Sequence, residues 1–280
     1  MQTNDIRLIV MDMDGTLLNS AGQVSPGNRK ALQSARDAGI HLAIGSGRSP
    51  GDIAAFAVEN GLNDCALLSL NGGYCQLTPN APAFANHTFS DETVELLQSL
   101  LRPTQTTYGF FAQNAVAVFE NGATVNENLW FSHMEGPYAP VLLRGEDGFQ
   151  SMRLTCHGVN KLMCAASTQQ AMDEVLHRLQ PLDDLDLFMS WPLNLEIMPK
   201  GIGKGLAVRE LAEHLGLSAS QVMALGDYDN DLSMMEYAGW SVAMGNACET
   251  LRQAARYSTL SNDEDGVAYA IRQYALKNAD

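Results

Sequence analysis

Four short polar clusters constrain what this chain can fold into. They are Asp12-Met13-Asp14-Gly15-Thr16, Gly45-Ser46-Gly47-Arg48, Asn71-Gly72-Gly73 and Gly226-Asp227-Tyr228-Asp229-Asn230-Asp231. Each follows an apolar run short enough to be a buried strand, over residues 7–11, 41–44, 66–70 and 222–225. A helix starts at the N-cap pair Ser25-Pro26 and stops at Gly39, and a second runs over about 50–59 and stops at Gly61. Strands alternating with helices specify a parallel sheet covered by helices. In such a sheet ligands sit outside the carboxyl ends of the strands, so clusters far apart in sequence should converge in space.

The rhythm breaks near Pro79 to Pro82 and resumes after Gly201. In between, the pattern predicts a helix over 91–101, hairpin strands around an Asn121-Gly122 turn, a strand over 161–166 and a helix over 169–179. This is α+β character, and Phe110, Phe111, Trp130 and Trp191 read as its core. The resumed rhythm predicts a helix over 204–215, a strand over 222–225, a helix from about 231, a strand over 241–244, and helices near 248–255 and 267–275. With 280 residues against about 150 per domain, the reading is a doubly wound α/β core of residues 1–82 and 194–280, with residues 83–193 inserted as a second domain.

The chain carries 17 Lys+Arg against 32 Asp+Glu, a formal net charge of −15. Such a surface repels phosphate backbones and anionic headgroups, so neither nucleic acid nor membrane is an expected partner. A small phosphorylated metabolite would meet the same repulsion and needs cations gathered locally. No run approaches the roughly 18–20 apolar residues of a membrane span, and the first residues lack a signal-peptide pattern, so the expected location is cytoplasmic. The five cysteines are scattered with no C-x-x-C pair, which argues for reduced thiols rather than a disulfide framework or a zinc site. A monomer or weak homo-oligomer is expected.

Carboxylates gathered at one sheet edge repel each other unless a cation holds them, and a set of oxygens without His or Cys favours a hard ion, Mg²⁺. A carboxylate beside such an ion can attack phosphorus. Asp12 is the candidate nucleophile. Asp14, two residues on, suits a general acid and base that protonates the leaving oxygen and then deprotonates water. Ser46 and Gly47 offer a hydroxyl and an amide to phosphate oxygens. Lys204, in Gly201-Ile202-Gly203-Lys204-Gly205, supplies the positive charge that the acidic surface demands. Competing motifs fail: Pro50 stands where a dinucleotide fingerprint needs glycine, and Gly205 follows Lys204 where a P-loop needs Ser or Thr.

Asp12-x-Asp14-Gly-Thr, the Ser46-Gly47-Arg48 turn, Lys204 in a Lys-Gly helix start, and Gly226-Asp227-x-x-Asn230-Asp231 resemble the four signature motifs of the haloacid dehalogenase superfamily. More narrowly they resemble its Cof-type phosphatases, which place a large α+β cap between the second and third motifs. Residues 239–246 and 262–268 are similar to that group's C-terminal pattern. The resemblance implies a Rossmann-like core with an inserted cap that sets substrate specificity. It implies a phosphatase for small phosphorylated metabolites, sugar phosphates first, working through a phosphoaspartate on Asp12. It also implies Asp14 as acid/base, Ser46 and Lys204 on the phosphate, and Mg²⁺ held by the Asp12 carboxylate, the Asp14 carbonyl and Asp227, with Asp231 supporting or capping its helix. Gly47, Arg48, Asn71 and Asn230 complete the candidate substrate contacts. Arg48 could equally form an ion pair, and Asn71 a turn. The second motif carries Ser46 where the group more usually has Thr, which keeps the hydroxyl. Two alternatives remain, a phosphomutase and a non-catalytic phosphometabolite-binding protein. Retention of both Asp12 and Asp14 argues against the latter, since binding alone needs no acid/base.

Overall fold

A computed structural model describes residues 5–121, 139–191 and 193–276, with the backbone alone at 190 and 191. The chain builds two sheets. The first has eight strands in the order β14-β13-β12-β1-β2-β3-β4-β5. Its members are β1 (Leu8–Asp12), β2 (His41–Gly45), β3 (Ala66–Ser69), β4 (Tyr74–Gln76), β5 (Ala83–Asn86), β12 (Val222–Gly226), β13 (Trp240–Ala243) and β14 (Tyr257–Ser258). The six strands from β14 to β3 run parallel, and β4 and β5 add an antiparallel edge.

β1 is central because all five of its residues are buried, as an apolar run flanked by strands and covered by helices on both faces demands. Helix Pro26–Asp37 starts where the Ser25 side chain accepts from the Asn28 amide, and helix Pro50–Glu59 where Ser49 accepts from Asp52. A proline at the first helical position suits both, since its missing N–H would find no partner there.

The second sheet has the order β10-β11-β9-β6-β7-β8, from β6 (Thr106–Phe111), β7 (Ala115–Glu120), β8 (Val141–Arg144), β9 (Lys161–Ala166), β10 (Leu185–Trp191) and β11 (Asn194–Pro199). Helices Asp91–Leu101, Gly145–Thr155 and Gln169–Leu179 cover it, over a separate core that includes Tyr108, Phe110, Phe149 and Leu162. Phe111 is buried in a small cluster with Leu70 and Tyr74 at the junction of the two sheets.

Two strands lie in a different sheet from the one expected. Residues 83–86, placed in the insertion, hydrogen-bond to β4 and extend the first sheet. Residues 194–199, placed in the core, pair with β9 and β10 in the second. Both sit where the chain crosses between sheets, and an apolar strand carries no mark of which neighbour it will join. Strand β7 forms its hairpin with the preceding β6. The Gly122 of the expected turn, Trp130 and the Trp191 side chain lie outside the described residues. The last expected helix is a short α-turn, Gly266–Ala270, followed by a π-turn, Ile271–Ala275.

Close packing of two helices against the sheet edge rests on Gly205. A Cβ there would stand 2.4 Å from the Ser233 carbonyl oxygen, a backbone atom that cannot turn aside. Gly205→Ala should therefore destabilise the fold by about 1–3 kcal/mol despite alanine's better helix propensity. Urea unfolding checks this, and an unchanged or raised midpoint would refute the contact.

Candidate active site

Asp12, Gly45 and Gly226 are the last residues of three neighbouring strands, and the register pairs Asp12 with Gly45 and Met11 with Leu225. The first, second and fourth clusters therefore meet at one sheet edge. Helix Lys204–His214 enters the same edge with Lys204 at its first turn. The Lys204 side chain is fully buried, and its ammonium lies 2.5 Å from Asp12 Oδ1 and 2.6 Å from Asp231 Oδ1.

Asp231 uses its other oxygen, Oδ2, to accept from the amides of Asp227 (2.9 Å) and Tyr228 (3.2 Å). It thus folds the fourth cluster and orients the lysine together, with both oxygens committed. Thr16 donates to Asp227 Oδ1 at 2.9 Å, and Asn246 donates to the Gly15 carbonyl at 2.8 Å. Gly15 has φ +82°, and a Cβ on it would run into the Asp227 carboxylate at 2.4 Å. Only glycine fits that position.

Carboxylate oxygens of Asp12, Asp227 and Asp231 all lie within 4.8 Å of one another. Three acids share one ammonium there. Burial pushes Asp12 well above the usual carboxylate range, against the pull of Lys204 and with the push of Asp231, Asp227 and Asp14. Burial and then Asp231 push Asp227 up to about 6, against the Thr16 hydroxyl and Lys204. Burial alone would lower the Lys204 pKa, but Asp12 and Asp231 outweigh it and keep the ammonium charged. An oxygen-only cluster with this excess charge fits a hard divalent cation.

Asp14 points the other way. Its side chain is 54% exposed, and its carboxylate receives a two-pronged hydrogen bond from Arg48, Nε at 2.8 Å and a terminal nitrogen at 2.6 Å. Of the two readings of Arg48, the ion pair is the one present. Ser46 Oγ accepts from the Arg48 amide at 3.2 Å. Asn71 is buried with φ +55°, a turn conformation that asparagine tolerates, and its side chain donates to Glu196. Asn230 reaches Asn71 Oδ1 at 3.5 Å. Asn71 therefore faces protein groups, while Asp12, Lys204, Asp227 and Asp231 form one contiguous cluster.

Two buried residues escaped the sequence reading, Lys161 on β9 and Glu196 on β11. Lys161 donates to the Gly47 carbonyl at 2.6 Å and lies 3.4 Å from Glu196. Burial pulls the Lys161 pKa down, opposed by Glu196. The signal was present in Leu195-Glu196-Ile197: period-two alternation sends Leu195 and Ile197 into the second sheet's core and Glu196 to the opposite face.

A family model described as haloacid dehalogenase-like hydrolase matches residues 9–271. The chain belongs to this family, in its Cof-type branch, and is a hydrolase of the phosphatase class. A curated relative from Bacillus subtilis (strain 168), 5-amino-6-(5-phospho-D-ribitylamino)uracil phosphatase YcsE, is 32% identical over 97% of each chain. A second from the same organism, YwtE, bears the same activity in its name and is 29% identical over 96% of this chain and 98% of its own. Among solved structures, a haloacid dehalogenase-like hydrolase from Bacteroides thetaiotaomicron superposes with a TM-score of 0.82 at 31% identity, over 96% of this chain and 99% of that one.

The crowded acids predict a pH dependence. Folded Asp227 keeps its proton to about pH 6, while the unfolded chain releases it near 3.8. Its favourable contribution is thus complete below about pH 4 and lost as pH rises through about 6. With divalent ions chelated, Asp227→Asn should match the parent's stability near pH 4 and exceed it by on the order of 1–2 kcal/mol at pH 8. Urea midpoints at the two pH values test this, and a difference independent of pH would contradict the crowding.

Proposed function

We propose that the protein is a Mg²⁺-dependent phosphomonoesterase for small phosphorylated metabolites, sugar phosphates first, acting through a phosphoaspartate on Asp12. The carrying observation is the buried Lys204 ammonium that holds Asp12 at a strand end beside two further carboxylates. Asp12, Asp227 and the Asp14 backbone carbonyl would hold the ion, with Asp231 supporting them. When bound, it neutralises charge on the phosphoryl group and on the attacking carboxylate.

The chemistry of the chain's own groups then follows. The Asp12 carboxylate attacks phosphorus while the ester P–O bond breaks, and the leaving oxygen takes a proton from Asp14. Asp14, ionised, next removes a proton from water, which attacks the same phosphorus and returns Asp12 and inorganic phosphate. Asp14 must leave the Arg48 fork to reach the ester oxygen, and its exposed side chain has room to turn. Opening the fork releases the guanidinium for a phosphate oxygen, so both readings of Arg48 have a place in the cycle. Ser46, Gly47 and Lys204 hold the remaining oxygens, and Asn71 and Asn230 stand beside them.

The second sheet with its helices serves as the cap that selects the organic part of the substrate. The B. subtilis relatives support a small substrate, since their names specify a phosphorylated ribityl compound. Five free cysteines among the described residues accord with a reducing compartment, the cytoplasm.

Asp14→Asn tests the roles. A sugar alkoxide needs a proton to leave, an effect typically worth about 10² to 10⁴ in rate, whereas nitrophenolate leaves unaided. The variant should lose far more kcat/KM on a sugar phosphate than on nitrophenyl phosphate. On the aryl ester it should give a burst and then slow turnover, with phosphate accumulating on Asp12. Equal losses without a burst would remove Asp14 from the acid/base role.

A further inference from the structure

We propose that Lys161, which belongs to the second sheet, is a positioning residue of the phosphate cradle in the first: it sets the peptide plane that aims the Ser46 hydroxyl. The inference rests on the reading of Ser46 as a phosphate donor.

The Gly47–Arg48 peptide is held at both ends. Its carbonyl accepts from Lys161 Nζ at 2.6 Å, and its N–H donates to Ser46 Oγ at 3.2 Å. The neighbouring backbone is tied down within the first sheet, through Ser46 N to Leu68 O (3.0 Å), Asn71 N to Ser46 O (2.9 Å) and Leu70 N to Arg48 O (2.9 Å). The Gly47 carbonyl is instead met from the second sheet.

A peptide carbonyl polarised by an ammonium makes its own N–H a better donor. Because Ser46 Oγ accepts that N–H, the hydroxyl proton is left to point elsewhere, as a donor to an incoming oxygen. Lys161 is well fixed for the task. Glu196 lies 3.4 Å away, the ammonium sits 5.1 Å from the centre of the Phe111 ring, and the Asn71 amide ties Glu196 to the first sheet. A Cβ on Gly47 would stand 3.1 Å from Asn71 Oδ1, close enough that the Asn71 amide would have to give by a few tenths of an ångström. The cradle is therefore complete only with the second sheet seated.

The test is a double-mutant cycle read by the inhibition constant of inorganic phosphate and by KM for a phosphomonoester, in the full-length enzyme with Mg²⁺. Lys161→Met should raise both by about tenfold, the effect of losing a hydrogen bond to a charged group. It should change kcat by less than about twofold, because the lost binding is shared by ground and transition states. Ser46→Ala should raise them similarly, and adding Lys161→Met to it should cost less than about twofold more, since both act through one hydroxyl.

Multiplying effects of about a hundredfold, or an unchanged inhibition constant in Lys161→Met, would overturn the proposal and leave Ser46 as a phosphate ligand. An unchanged constant in Ser46→Ala would overturn both. If Lys161→Met does not fold because Glu196 is stranded, Lys161→Met combined with Glu196→Gln removes both charges, and the same comparison with Ser46→Ala decides.

Discussion

A single buried ammonium holds together what electrostatics would drive apart. Asp12, Asp227 and Asp231 come from two strand ends and the turn beyond one of them, and packing the sheet forces their carboxylates together. Lys204 meets two of them from a helix that starts at the same edge. Asp12 and Asp231 keep the lysine charged against its burial, and the acids tolerate proximity because of it. Sheet, helix and site are therefore one problem with one solution. The glycines around the cluster follow from it: Gly15, Gly226 and Gly205 each stand where a Cβ would strike a site carboxylate or the backbone of the next helix.

The two sheets reach the candidate site in different ways. The parallel sheet is buried on both faces and gives fixed strand ends, which are good places for groups that must not move during group transfer. The second sheet has its own aromatic core and touches the site through a few polar side chains. Most of its sequence is thus released from the chemistry.

Much of this was legible in the sequence because it is written locally. Asp12, Ser46, Asp227 and Lys204 each follow a strand or open a helix, and the Ser25-Pro26 cap marks its helix unambiguously. What was not legible depends on choices between equivalent partners. Strands 83–86 and 194–199 could extend either sheet, and only three-dimensional packing decides. Lys161 and Glu196 are remote in sequence and carry no motif, and a charged residue in an apolar strand reads as the solvent side until a second domain covers it. Arg48 was readable as a cation near the site, but its grip on Asp14 depends on a rotamer.

The chain crosses between the sheets at two places, and each is pinned. At the first, Asn160 donates to the Gly73 carbonyl (2.9 Å), to Asn86 Oδ1 (2.7 Å) and to the His87 carbonyl (2.9 Å). At the second, eight residue steps separate Glu196, held by Asn71 and Lys161, from Lys204, held by Asp12 and Asp231. A body tethered at two points cannot lift away without breaking a tether; it keeps rotation about the line through them.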